Sequence, residues 1–429
     1  MATIRPFLAQ RFTPETGPLV DLVAPPYDVI SPEERERLAA KSKHNTVWLT
    51  LPEQLPDDRS KFVKYARSAS RLAEWRRDGV LQVDELPAFY RYRQTFVDPI
   101  ENKERTRTCF ITLLKTEPYE SGVVLPHEQT FPKHKEDRLR VLEATRSHLE
   151  CIYGLYRDDA NDVATAIDQA EWIPIADFKT EDGVRHELSI CIEENANRKI
   201  AAAMEQEKIW IADGHHRYET ARAFREMAGE AASLVPEDFI LIGLSSMKDP
   251  GLALLPTHRI VNGKALNKNE ATTALQRFFN VRSVGNGMLP QEVRALAAPD
   301  TRAFGIVLPG ESGLLATLDK PEDALNWIKS EGSPLLKLLD VTILHDVILE
   351  QAFEIKGLDS IEYTRDADEA VAIVEASNDK FAIITNPPSV EDMRLIAEGG
   401  EKMPQKSTYY YPKLLSGLVF WSMSDFDFK

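Results

Sequence analysis

Apolar and polar residues alternate along the chain with two periods, and the switches between them outline its elements. After Ala24-Pro25-Pro26-Tyr27-Asp28-Val29-Ile30 comes Ser31-Pro32-Glu33-Glu34. A serine N-cap, a proline at the first helical position and a glutamate three residues after the serine predict a capping box and a helix to about residue 41. Phe62, Tyr65, Ala69, Leu72 and Ala73 recur at three- and four-residue steps, which predicts a helix over residues 59–77 closed by Asp78-Gly79. The period then drops to two. Tyr90, Tyr92, Gln94 and Phe96 alternate with Arg91, Arg93 and Thr95, the pattern of a strand. Residues 108–114 read as its partner across a turn near Asp98-Pro99.

Farther on, the pattern predicts helices over residues 133–148, 218–227, 341–353 and 368–376, the last behind a second capping box of Asp366 and Glu369. Strands are expected at residues 152–156, 208–212, 239–244, 303–308, 313–318 and 381–385. Helices and strands mix throughout, so the fold class is α+β (mixed α/β). A length of 429 residues suggests two or three domains. With no repeat and no low-complexity linker, the division falls at residues 1–115, 116–260 and 261–429.

Composition narrows the partners. Apolar residues are 43% and charged residues 28%, as in a globular protein with a large core. Lysine and arginine total 52 against 68 aspartates and glutamates, a net charge of −16 that repels phosphate backbones and disfavours nucleic acid. Residues 1–12 hold no signal-peptide core, and apolar stretches such as 239–244 fall far short of the roughly 20 residues that span a bilayer. Cys109, Cys151 and Cys191 fit neither a zinc motif nor a disulfide framework. The expectation is a reduced, cytoplasmic protein without a membrane partner.

Chemistry concentrates in three places. Asp213-Gly214-His215-His216-Arg217-Tyr218 lies between an expected strand and an expected helix. A helix N-terminus with unpaired N–H groups favours anions, glycine allows close approach, and arginine binds phosphate oxygens as a fork. Asp213 at the strand end is a candidate ligand for a magnesium ion bridging phosphates. The plainer alternative is a tight turn with solvated histidines. The second place is Leu125-Pro126-His127-Glu128-Gln129-Thr130, followed by Lys133, Lys135 and Arg138. Glu128 is a candidate general base, or else a capping or salt-bridged acid, and Lys135 and Arg138 share a helical face. The third is Met403-Pro404-Gln405-Lys406-Ser407-Thr408-Tyr409-Tyr410-Tyr411-Pro412-Lys413, a polar and aromatic segment that either closes over a ligand or packs as a terminal strand. Pro256-Thr257-His258-Arg259, His44-Asn45 and Tyr27-Asp28 are weaker signals.

These motifs, from residues 24–30 through 126–130, 212–221 and 256–259 to 403–413, resemble the bacterial and archaeal family catalogued as domain of unknown function 1015 over nearly the whole chain. The Asp-Gly-His-His-Arg run also resembles the phosphate-binding motif of the ParB/sulfiredoxin-like superfamily, and within it the free-serine kinases. Those carry Pro-His-Glu-Gln upstream and Lys-Thr-Thr near the C-terminus. The resemblance implies a ParB/sulfiredoxin-like nucleotide-binding core, flanked by additional N- and C-terminal regions. It implies a small-molecule kinase acting on the hydroxyl of serine or a similar compound, with ATP or ADP as donor and Mg2+ as cofactor. Glu128 would be the base, and Asp213 would stand near metal and phosphate. Gly214, His215, His216 and Arg217 would bind the nucleotide's phosphate, and Lys406, Ser407 and Thr408 the acceptor. Ser407 replaces a threonine, and the Glu128–Asp213 spacing is longer than in the kinases. Two other readings stay open: a non-catalytic nucleotide-binding regulator, and a metal-dependent hydrolase using His215, His216 and His258, whose spacing fits paired ligands poorly. A sulfiredoxin-like reductase lacks its cysteine here. The sequence assigns no oligomeric state.

Overall fold

Strands from the first 115 residues and from the middle of the chain pair in one sheet. The structure is a computed structural model and describes residues 1–129, 132–229, 231–310, 312–357 and 359–426, without the side chains of residues 132–135. Among the described residues this sheet has nine strands. They are β1 (Ile4–Arg5), β2 (Phe89–Val97), β3 (Glu104–Lys115), β4 (Val124–Leu125), β5 (Ile152–Tyr156), β6 (Ile173–Lys179), β7 (Arg185–Cys191), β8 (Ile209–Asp213) and β9 (Phe239–Ser246). Their order is β4-β8-β5-β9-β3-β2-β7-β6, with β1 on β3. The expected hairpin is β2 and β3, with Tyr90 opposite Ile111. β8 runs antiparallel to β5 and parallel to β4.

The longer helices of this unit are α1 (Pro32–Lys41), α2 (Val63–Arg77), α3 (Pro132–Thr145), α4 (Glu194–Met204) and α5 (His215–Met227). Ser31 Oγ accepts from the Glu34 N–H at 3.1 Å, as a capping box requires. The Glu34 carboxylate instead takes Arg37 Nε at 2.8 Å. Ile152, Ile209, Ile211, Ile240 and Ile242 pack with Tyr218 and Ala221 of α5, so the face that α5 covers is the core that fixes the strand end before it.

The chain divides into two compact units. The first comprises Met1–Pro126, Thr130–Ala253 and Tyr410–Lys429; the second comprises His127–Gln129 and Leu254–Tyr409. This differs from the expected division at residues 115 and 260. β9 pairs with β3 from Phe239 opposite Lys115 to Leu244 opposite Phe110, which joins the first two expected domains in one sheet. The C-terminal segment belongs to the same unit, where Phe420 packs with Phe12, Leu72 and Trp75. Such long-range pairing leaves no mark on the local pattern.

The second unit is built on β10 (His258–Val261), β11 (Asn280–Gly285), β12 (Arg302–Val307), β13 (Ser312–Leu318), β14 (Ile361–Thr364) and β15 (Phe381–Ile384), in the order β11-β13-β12-β15-β10-β14. Every neighbouring pair is antiparallel. Phe304, Ile306, Leu314 and Ile383 form the core on one face, and Ala303, Val307, Leu315 and Ile384 the core on the other. Burial on both faces explains why β12, β13 and β15 read as apolar runs. The helix expected over residues 341–353 is a short α-turn, Asp340–Ile343, continued by the π-helical Leu344–Ala352. The chain is thus of mixed α and β class, as its pattern predicts. The three cysteines are buried and free. No helix among the described residues is long and apolar enough to cross a membrane.

Candidate functional site

β8 ends on Asp213, and the backbone turns at Gly214, φ 90°, into α5 at His215. A Cβ at residue 214 would lie 2.7 Å from Ile152 Cγ2, so packing against β5 and the left-handed φ both demand glycine. With glycine at the N-cap, no side chain at that position caps the first turn of α5. The Tyr218 N–H donates to Gly214 O at 3.0 Å, the first intrahelical bond.

The Asp213 carboxylate joins two cations. Oδ2 accepts from Arg217 Nη2 at 2.9 Å, and Oδ1 accepts from Lys413 Nζ. Burial works to raise the pKa of this carboxyl, but Lys413 and Arg217 outweigh it and hold the group at about 2. Arg217 also donates from Nη1 to Cys151 O at 2.7 Å. Burial opposes its charge, but Glu150, Asp213 and Asp28 keep it protonated. Around it, Glu150 Oε1 accepts from the Tyr27 N–H and from Ser416 Oγ, both at 3.0 Å. The Arg138 guanidinium lies over the Tyr27 ring at 4.1 Å. Arg138, Glu150 and Arg217 line a cleft of about 50 Å³.

The other candidates lie in the second unit. Glu128 pairs in parallel with Met403, whose N–H donates to His127 O at 2.7 Å. Thr408 Oγ1 and His127 Nε2 are 2.8 Å apart, and Gln405 Nε2 donates to Gln129 O at 3.1 Å. Lys406 has a left-handed φ of 57°, and Ser407 Oγ donates to Pro404 O at 2.5 Å. The upstream glutamate segment and the Lys406-Ser407-Thr408 segment therefore meet in space, although nearly the whole length of the second unit separates them in sequence.

The candidates thus fall into two groups. Asp213, Gly214, His215, His216 and Arg217 belong to the first unit, and Glu128, Lys406, Ser407 and Thr408 to the second. Thr130 and the side chains of Lys133 and Lys135 lie outside the described residues. His258, offered for the hydrolase reading, is buried in the second unit, where Nδ1 accepts from the Thr385 N–H at 3.2 Å. Among the described residues, no group of three or more His, Cys, Asp or Glu side chains is arranged to hold a metal ion. Both Asp213 oxygens are engaged, so in this arrangement Asp213 does not fit a magnesium ion unless Lys413 gives way.

Sequence reasoning noted Tyr27 as a weaker signal and Arg138 and Lys413 within wider motifs, but placed none of them, nor Glu150, beside Asp213 and Arg217. Lys413 closed a motif already noted, but nothing local links it to residue 213. Glu150 carries no signal at all; only the fold brings it near Arg217.

A family model described as Protein of unknown function (DUF1015) matches residues 4–342. No curated protein sequence matches the chain. Among solved structures, the chain is similar to a free serine kinase mutant in complex with ADP, with 13% identity and a TM-score of 0.35, covering 67% of this chain and 84% of that one. It is similar to a conserved hypothetical protein from Pyrococcus furiosus, with 14% identity and a TM-score of 0.34, covering 71% and 94%. It is also similar to SbnI with a C-terminal truncation from Staphylococcus aureus, with 10% identity and a TM-score of 0.35, covering 71% and 85%. All three are distant likenesses.

Proposed function

The chain belongs to the Protein of unknown function (DUF1015) family, and within it we propose a nucleotide-dependent small-molecule kinase that phosphorylates the hydroxyl of serine or a similar hydroxy compound. The observation that carries this reading is the Asp213–Arg217 turn. One carboxylate there meets two cations, Arg217 and Lys413, at the N-terminus of α5. Arg138 adds a third cation nearby, Glu150 and Asp28 act on Arg217 as further acids, and the helix contributes its own partial positive charge. In a chain of net charge −16, such a concentration of cations supports binding of the donor's phosphates.

Phosphoryl transfer is mainly positioning and charge neutralisation. Arg217 and Lys413 supply cations for the phosphate oxygens of ATP or ADP, and Asp213 orients both. His215 and His216 begin the helix whose N–H groups face that end. Glu128 is the proposed base for the acceptor hydroxyl, and Lys406, Ser407 and Thr408 the acceptor contacts, as the motif resemblance implies. No step is assigned to a metal.

The test combines purified protein, Mg2+, ATP or ADP, and serine, threonine, homoserine or glycerate, with phosphorus NMR to detect a new phosphomonoester. O-phosphoserine is expected. Glu128→Gln should abolish it while nucleotide still binds, and Arg217→Ala should weaken nucleotide binding. No phosphoester from any acceptor with either donor overturns the proposal. One observation favours a second reading, a nucleotide-binding regulator without turnover: both Asp213 oxygens are already engaged by side chains. Nucleotide binding that Arg217→Ala abolishes, with no product, selects it.

A further inference from the structure

We propose that the second unit holds a binding site for a small carboxylate, with Arg259 as its cationic anchor. Arg259 sits in β10 and is only 1% exposed. Its guanidinium meets neutral partners. Nη1 donates to Thr257 O, and Nη2 lies 3.3 Å from His345 Nε2 and 3.5 Å from Lys406 O. Nε–H has no partner. Among the described residues Arg259 forms no direct ion pair with a carboxylate, and Glu128 favours its charge only through space. A buried cation without a paired carboxylate is disfavoured, and so is a buried donor without an acceptor.

A second orphan lies beside it. The buried Thr257 hydroxyl also has no hydrogen-bond partner. Thr257 and Arg259 are two residues apart in extended chain, hence on one face. Both line a cleft of about 500 Å³, a size that takes a metabolite rather than a bare ion. The other charges on this cleft are Arg302, paired with Asp340 at 3.1 Å, and Asp392, which accepts from the Ser389 N–H at 3.0 Å to cap its helix. With Arg259 the lining is neutral, two arginines against two aspartates. A monoanion satisfies the orphan donors with a single added charge, whereas a phosphate dianion would bring two against the two carboxylates. A guanidinium and a hydroxyl side by side are the donors that a carboxylate accepts from.

Ser407, proposed above as an acceptor contact, lines the same cleft, which would put the carboxylate on the acceptor. The binding itself does not depend on turnover, and its test omits nucleotide. Full-length protein is titrated calorimetrically with L-serine, glycerate, ethanolamine and inorganic phosphate. Serine and glycerate should bind, ethanolamine should not, and phosphate should not displace glycerate. Thr257→Val removes an unpartnered hydroxyl at constant shape, so the unliganded melting temperature should stay the same or rise while carboxylate binding weakens at least fivefold. Arg259→Lys should weaken it tenfold or more; if that variant does not fold, Thr257→Val decides alone. No binding across the panel, ethanolamine binding as tightly as serine, displacement by phosphate, or wild-type affinity in Thr257→Val overturns the site. Phosphorylation of ethanolamine would leave the kinase standing without this site. Serine binding without phosphorylation would leave this site standing without the kinase.

Discussion

Replacing Gly214 with alanine tests whether the turn at the strand end is held by packing. Two penalties apply. The left-handed φ of 90° costs a residue with a Cβ about 1–2 kcal/mol. The new methyl would also stand 2.7 Å from Ile152 Cγ2 and 2.9 Å from Ile152 Cβ. Ile152 belongs to β5, paired on both sides by β8 and β9, so it has little room to retreat. Overpacking of this kind costs about 1–3 kcal/mol. Together the loss is about 2–5 kcal/mol, read as a lowered midpoint of urea unfolding. The two penalties separate in a double-mutant cycle. Ile152→Ala removes Cγ2 but leaves Cβ and the strained φ, so Gly214→Ala in that background should recover part of the packing penalty and cost about 1 kcal/mol less than in the wild type. A loss under about 1 kcal/mol for Gly214→Ala alone, or strict additivity of the two substitutions, would refute the packing argument.

Lys413→Met leaves the buried Asp213 with a single cation and should cost about 3 kcal/mol in urea unfolding, part of which Asp213→Asn recovers in the double variant. Burial holds His148, His186 and His345 at about 4 and His258 at about 3, below the roughly 6.5 of an unfolded chain. Their contribution to stability is complete above about pH 6.5 and falls as pH drops toward these values. Each unit carries two of them. The first unit's unfolding should lose about 2.4 kcal/mol per pH unit near pH 5. In the second, burial raises the Asp340 carboxyl to about 7, which offsets one histidine and leaves about 1.2 kcal/mol per pH unit, both measured by urea titration across pH 7 to 4.5. Burial raises the thiols of Cys109, to about 12, and of Cys151, so neither should react with a disulfide reagent until denaturant is added. Gly313→Ala would drive a Cβ to 2.1 Å from the backbone oxygen of Ile306 and should cost at least about 3 kcal/mol, by the same urea assay, in the unfolding of the second unit.

Local pattern was most informative where one face of an element meets the core. The alternation through Tyr90 and Phe96 marked β2, and the three- and four-residue steps of Tyr65 and Leu72 marked α2, with both residues buried. Elements whose side chains meet solvent were silent. β6 and β11 hold no buried residue, so neither burial alternation nor an apolar run set them apart. β7 was missed for a different reason: it joins β2 and β6 through backbone pairing whose partners lie elsewhere in the chain. The C-terminal segment reads as a separate end of the molecule, yet Phe420 packs among residues of the first 81.

The site shows the same division more sharply. Asp213, Gly214 and Arg217 were legible because their chemistry is local: a strand end, a glycine turn, and an acid and an arginine four residues apart that pair across the first helical turn. A motif of that kind is electrically balanced by its own members, since the acid cancels the arginine. The other charges of the site come from outside it. Lys413, two hundred positions along the chain, reaches the second oxygen of the same carboxylate, and Glu150 and Asp28 act on Arg217. Arg259 presents the reverse case. It was noted as a weak motif, and its importance lies in what does not meet it, an acceptor at Nε and a paired carboxylate, which only the packed structure can reveal. In both places what a ligand can use is what is left over after local pairing, so motif reading finds the frame of such a site and misses the distant partners that set its balance.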